Sequence, residues 1–232
     1  MRKKKTWYKG YCNFIKIFKR KIKYVYLGEM VEDRAIVLSN HVGASGPLSF
    51  ELFNKQTFRF WGTHEMNGKF KEVYAYLTDI YFTQKKHIKK PISKIIGVFA
   101  APFMRLFYKG LDLIPTYHDA RFYRAIKDSY NTLSEGQSVV IFPEASENGY
   151  FSNLTAFHAG FVLLKYCYDR GLDLPIFLSY LHKKKHIHLV DKPVLYSEIK
   201  DKFNNRDEMA RYFCNRCNEL GKMIENGNLS VK

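Results

Sequence analysis

This chain predicts an α/β domain with a largely parallel central sheet flanked by helices, and three observations lead there. The runs Ala35-Ile36-Val37-Leu38 and Val139-Val140-Ile141-Phe142 are continuously apolar, as strands buried on both faces are. Around them, apolar residues recur at helical steps, so strands and helices alternate along the chain. Both runs end abruptly in polar residues, Ser39-Asn40-His41 and Pro143-Glu144, which places chemistry at strand ends. With 232 residues, 46% hydrophobic and 16% aromatic, the chain is one ordinary domain with a full core, and disorder is excluded.

The first element is a helix, because Trp7, Tyr11, Phe14, Phe18 and Ile22 recur at steps of three and four with Lys9, Lys16 and Lys23 opposite. No acidic residue precedes Glu29, whereas ten basic residues do, among them Lys3, Lys4, Lys5, Arg20 and Lys21. The net charge is +16, so only six of those charges belong to the remainder. Such a segment fits an anionic membrane surface, with the aromatic side in the lipid interface. A helix packed on the domain with a solvated basic back is the alternative. The expected division is a basic amphipathic membrane-surface helix over 1–28 and a second unit over 29–232. The apolar residues of the start are interleaved with lysines, so a signal peptide is not expected.

The strand through Leu38 leads into the His41 loop, and Pro47 opens a helix reaching Phe53. Thr57 to Trp61 is a second strand. An insertion follows, helical from Glu72 to Phe82 and basic from Lys85 to Lys90. Ile95 to Met104 is almost uninterruptedly apolar and too short to cross a bilayer. It is expected as buried core, with a re-entrant segment lining an apolar tunnel as the alternative. Leu111 to Pro115 is a strand, and Ala120 to Leu133 a helix ended by Gly136. After the Val139 strand, Phe157, Phe161, Leu164 and Tyr168 mark a helix stopped at Gly171. Leu174 to Leu178 and His186 to Val190 are strands. Asn205 and Glu208, in capping-box spacing, start the last helix, with a stripe of Met209, Phe213, Cys217, Leu220 and Ile224.

Four cysteines make no disulfide framework for this length, and a reducing compartment is expected. Cys214 and Cys217 have a redox-like spacing, but Cys217 falls on the apolar stripe, so core is the expectation. His182, His186 and His188 flank a lysine run, and the two last alternate with apolar residues as on the exposed face of a strand. No helix-turn-helix or sheet-stacking motif supports a nucleic-acid partner.

Asn40-His41, Phe142-Pro143-Glu144, the Phe157-His158-Ala159-Gly160-Phe161 segment and Pro175-Ile176 occur in an order that resembles the glycerolipid acyltransferases of the lysophosphatidic acid acyltransferase type. The resemblance runs from Ile36 to about Val194. It implies an acyltransferase-like domain over 29–232 that passes a fatty acyl group from acyl-CoA or acyl carrier protein to a lysolipid hydroxyl. It also implies a peripheral position on the cytoplasmic face of the cell membrane, and no metal or redox cofactor. His41 would be the general base, since imidazole titrates near neutrality. Glu144 would shape the site or bind the acceptor, and Asn40 and the Ser45-Gly46-Pro47 turn would form its wall.

Three positions depart from the family pattern. Gly46 stands where an aspartate holds the histidine, and loss of the tautomer-fixing carboxylate costs roughly 10⁴-fold in hydrolase triads. Thr116 stands where a phosphate-binding arginine belongs, and Glu147, after Ala145 and Ser146, replaces a second one. Arg121, Arg124 and His158 are the candidates to compensate. Glu147, or Glu144, is the candidate for the lost carboxylate on His41. The alternatives to this reading are a non-catalytic lipid-binding or scaffolding descendant of the fold, and an acyltransferase whose acceptor lacks phosphate.

Overall fold

A computed structural model describes residues 4–31, 34–144, 149–158, 160 and 162–228. The chain is α/β, with a mostly parallel central mixed sheet flanked by helices. Its strands are β1 (Lys23–Tyr26), β2 (Ile36–Ser39), β3 (Phe58–Thr63), β4 (Ile114–Thr116), β5 (Ser138–Ile141), β6 (Pro175–His182), β7 (Ile187–Val190) and β8 (Val194–Leu195). Their order is β1-β7-β6-β2-β5-β3-β4, with β8 beside β6. Only β6 pairs antiparallel, with β7 and with β8.

The helices are α1 (Thr6–Ile17), α2 (Ser45–Phe53), α3 (Phe70–Ala75), α4 (Lys90–Leu111), α5 (Phe122–Ser134), α6 (Val162–Tyr168), α7 (Tyr196–Ile199) and α8 (Arg206–Glu225). A π-helix, Tyr76–Lys85, continues α3. Side chains alternate between two cores along the central strands. Ile36, Leu38, Val139 and Ile141 face the core that holds α5, α6 and α8. Val37 and Val140 face Phe50, Phe58, Phe60 and the insertion helices. The stripe of α8 is buried at every expected position, and Asn205 caps the helix by accepting the Glu208 backbone N–H at 2.9 Å.

Several expectations are corrected. The helix of the first 28 residues ends at Ile17, and Lys23–Tyr26 is an edge strand parallel to β7. Backbone pairing decides this: Lys23 to Tyr26 run in parallel register with Ile187 to Val190, and Val25 is buried beside β7. Ile95–Met104 is core on one face only. It is the middle of α4, which buries Ser93, Gly97, Ala101, Phe107 and Leu111 and leaves its other face exposed. A continuous apolar run conceals which face a helix buries, and here only half of it packs. The strand expected from Leu111 starts at Ile114, because α4 runs to Leu111 and Asp112 caps it at φ 55°. Phe157 precedes the helix and pairs with Glu144 in an isolated bridge.

His188 is not on an exposed face. It has no exposed surface, and its ring nitrogens bond to Ser49 Oγ and Ser179 Oγ, each at 3.1 Å. Its ring packs on Tyr24 and Phe50 at 4.7 and 4.6 Å between centroids. The alternation was read correctly but the cover was missed: α2 lies over that face of β7.

Candidate active site

β2 and β5 are parallel neighbours, with Leu38 opposite Ile141. Their carboxyl ends therefore release Asn40-His41 and Pro143-Glu144 side by side, at the edge where open α/β sheets carry their sites. Glu144 is 5% exposed, and one carboxylate oxygen accepts the His41 backbone N–H at 2.7 Å. Burial raises its pKa to about 7, against the opposing pull of the His41 and Phe151 backbone N–H groups and Lys85. Glu144 thus ties the two loops together while titrating close to neutrality.

The His41 ring stacks on Tyr150, with centroids 4.7 Å apart and planes at 15°, and tilts against Phe142 at 5.2 Å. Its Nδ1 accepts the Gly43 backbone N–H at 3.1 Å. A neutral imidazole that accepts at Nδ1 carries its proton on Nε2. Burial first, then the charges of Lys85 and Lys86, lower its pKa to about 3, so the ring is neutral across the physiological range. Gly43 is what permits the Nδ1 bond. Its φ is +59°, and a Cβ there would lie 2.8 Å from the Tyr81 hydroxyl.

The other expected site residues divide. Asn40 is buried, and its side chain donates to Leu181 O at 3.2 Å and accepts from Leu181 N at 2.7 Å, extending the β2–β6 pairing. Ser45 and Gly46 open α2 beside the ring, with the Ser45 N–H bonded to Val42 O at 3.2 Å. Thr116 donates to Gly62 O at 3.0 Å within the sheet edge. Arg121 is exposed and engages Asp119, the shortest contact being 2.7 Å, while lying over the Tyr117 ring at 4.3 Å. Arg124 and His158 are exposed, and the His158 N–H bonds to Pro143 O at 2.7 Å. Ser146 and Glu147 lie outside the described residues, so the carboxylate expected from Glu147 is not placed. Glu144 meets the His41 backbone rather than its ring.

Four groups around the ring carry no role in the sequence reading, Gly43, Tyr150, Lys85 and Lys86, and Phe142 enters it only as part of the Phe142-Pro143-Glu144 run. The ammonium groups of Lys85 and Lys86 stand over the Tyr150 ring at 5.4 and 5.2 Å. They come from the end of the π-helix, a distortion that recurs at functional sites. Their only sequence signal was the basic run of the insertion.

A side chain at position 46 would meet the Phe142 ring. A Cβ at Gly46 would lie 2.9 Å from Phe142 Cε1 and 3.3 Å from Cζ. Gly46→Asp is therefore expected to push the Phe142 ring off His41, destabilise the fold by about 1–3 kcal/mol and fail to raise any activity that depends on His41. Urea denaturation of the variant checks the first part. An unchanged midpoint would show that the ring yields without cost.

Comparison with protein-family models and with curated proteins yields no match to the chain.

Proposed function

We propose that the chain is a peripheral-membrane acyltransferase that moves a fatty acyl group from acyl-CoA or acyl carrier protein to the hydroxyl of a lysophospholipid or related glycerolipid. The observation that supports this most is the side-by-side release of His41 and Glu144 by β2 and β5, joined by a 2.7 Å hydrogen bond. The resemblance implies that these two loops line one site. The acceptor hydroxyl gives its proton to His41 as its oxygen attacks the thioester carbonyl. Collapse breaks the C–S bond, and the imidazolium returns the proton to the leaving thiolate. Neutrality leaves Nε2 to receive the proton in the tautomer protonated at Nδ1, while burial and the two lysines make the ring a weak base, so the reaction also requires substrate binding to raise its basicity. Productive binding then breaks the Gly43 bond to Nδ1. Glu144 is a positioning residue through the His41 backbone.

One observation favours a second reading, a non-catalytic lipid-binding or scaffolding protein of the same fold. Among the described residues no carboxylate is bonded to the His41 ring, and Nδ1 is held as an acceptor. Mass spectrometry decides between them, with purified protein given acyl-CoA or acyl carrier protein donors and a panel of lysophospholipids, neutral glycerolipids and amine-bearing lipids. An acylated product formed only when His41 is present supports the enzyme. Lipid binding without product from any pair supports the second reading.

A further inference from the structure

The outer face of α4 is a single apolar strip. Ile92, Ile95, Val98, Phe99, Phe103 and Leu106 follow helical steps, and all are exposed, Phe99 by 71%, Ile95 by 64% and Phe103 by 55%. At helical rise the strip is about 20 Å long. Scattered exposed apolar side chains need no account, but a continuous strip of this kind marks a surface that something covers.

Its surroundings select the occupant. No acidic residue occurs in α4, whose cations are Lys90, Lys94, Arg105 and Lys109, and Lys85, Lys86 and Lys89 lie just before it. α1, also free of acids, packs on α4. Its Tyr8 is fully buried against Phe107 and against Gly110, where a Cβ would sit 1.8 Å from the Tyr8 ring. Tyr11 of α1 donates to Phe103 O at 2.7 Å, and Trp7, Phe14, Ile17 and Phe18 remain exposed. A second copy would set one cationic rim against another, which like charge opposes. An anionic phospholipid surface satisfies both features, with acyl chains receiving the strip and headgroups the ammonium groups. Among the described residues no helix is long and apolar enough to cross a membrane, so α4 would lie in the interface plane.

We propose that α4, with α1 braced against it, is the surface by which this protein docks on anionic bilayers, and that α4 contributes more than α1. This rests on the membrane-surface part of the function proposed above and adds to it the docking element. α4 packs along the π-helix, whose Lys85 stands over the Tyr150 ring that stacks on His41. These contacts link the docking helix to the His41 site through the π-helix.

Flotation of the full-length protein with phosphatidylcholine vesicles, with and without phosphatidylglycerol, tests this. The wild type is expected to float with the anionic vesicles and to be released by salt. Ile95→Ser/Phe99→Ser/Phe103→Ser should lower the partition about 30-fold, and Phe14→Ser/Phe18→Ser by less than that. Lys90→Glu/Lys94→Glu, which leaves the strip intact, should also weaken binding, so a folding defect of the triple variant does not decide the matter. Three results would overturn the proposal: equal flotation of the triple variant and wild type, no wild-type binding to either vesicle, or a wild-type dimer by light scattering that the triple variant dissolves. Acyl transfer to detergent-dispersed lysolipid, measured on the same samples, separates the two claims. Docking without transfer removes the reaction and leaves the surface, whereas transfer without docking removes the surface alone.

Discussion

Replacing His41 by alanine is expected to lower acyl transfer about 10²–10⁴-fold while leaving the protein folded and able to bind vesicles. A positioned base contributes about 10²–10⁴-fold, and His41 is the histidine that the β2–β5 edge delivers beside Glu144. Its side chain also shapes the loop by accepting the Gly43 N–H, so alanine alone confounds two roles. His41→Asn separates them, because the amide oxygen can keep that hydrogen bond but cannot take a proton. If asparagine retains a tenth of wild-type turnover, the ring only shapes the loop and the base role is lost. The pH profile gives an independent check. With its pKa lowered to about 3, His41 stays neutral from pH 8 to pH 5, so a rate that falls with a midpoint near 6.5 and vanishes in the asparagine variant would contradict the buried, lysine-flanked ring.

Acid should destabilise this protein through its buried histidines, with His188 the larger contributor. Burial lowers the His188 pKa from 6.5 to about 3. A depressed folded-state pKa means that its stability contribution is present above about 6.5 and is lost as pH falls through 3. At about 1.4 kcal/mol per pH unit, the loss is on the order of 5 kcal/mol. His41 shifts in the same direction for the same leading reason, but keeps some solvent contact and should weigh less. Glu144 acts oppositely. Its folded pKa is raised from 4.5 to about 7, so its contribution is fully present below 4.5 and lost as pH rises through 7. Two histidines that lose stability stand against one glutamate that gains it, so stability is expected to fall gently from pH 6.5 to 4.5 and steeply from 4.5 to 3. His188→Gln keeps groups able to bond Ser49 and Ser179 but cannot gain a proton. It should be the less stable protein at pH 7 and lose much less on acidification. Parallel curves of unfolding free energy against pH for the two proteins would show that the His188 pKa is the same in the folded and unfolded states, and so that burial does not depress it.

Much of this architecture was legible because its signals are local. Continuous apolar runs marked β2 and β5, helical spacing marked α5 and α8, and Asn205 with Glu208 marked where α8 begins. The strand ends also announced the site, since an apolar run that stops at Asn-His or Pro-Glu must release those residues at a sheet edge. That both run to the same edge as neighbours is a property of strand order, which no short window contains.

What the chain alone determined is thus the α/β class, the strand ends that carry His41 and Glu144, and the basic character of the first 28 residues. The tertiary structure decided which faces are covered and which residues surround the ring. α2 buries His188 that alternation had placed outside, and α4 leaves exposed the residues that hydrophobicity had placed inside. Tyr150, Lys85 and Lys86 reach His41 from distant segments, and the Phe142 ring fills the space that a side chain at position 46 would need. Periodicity records which residues share a side of an element. Only the packing of one element on another sets whether that side meets protein, and so whether its histidines stay neutral and its apolar strip still lacks a cover.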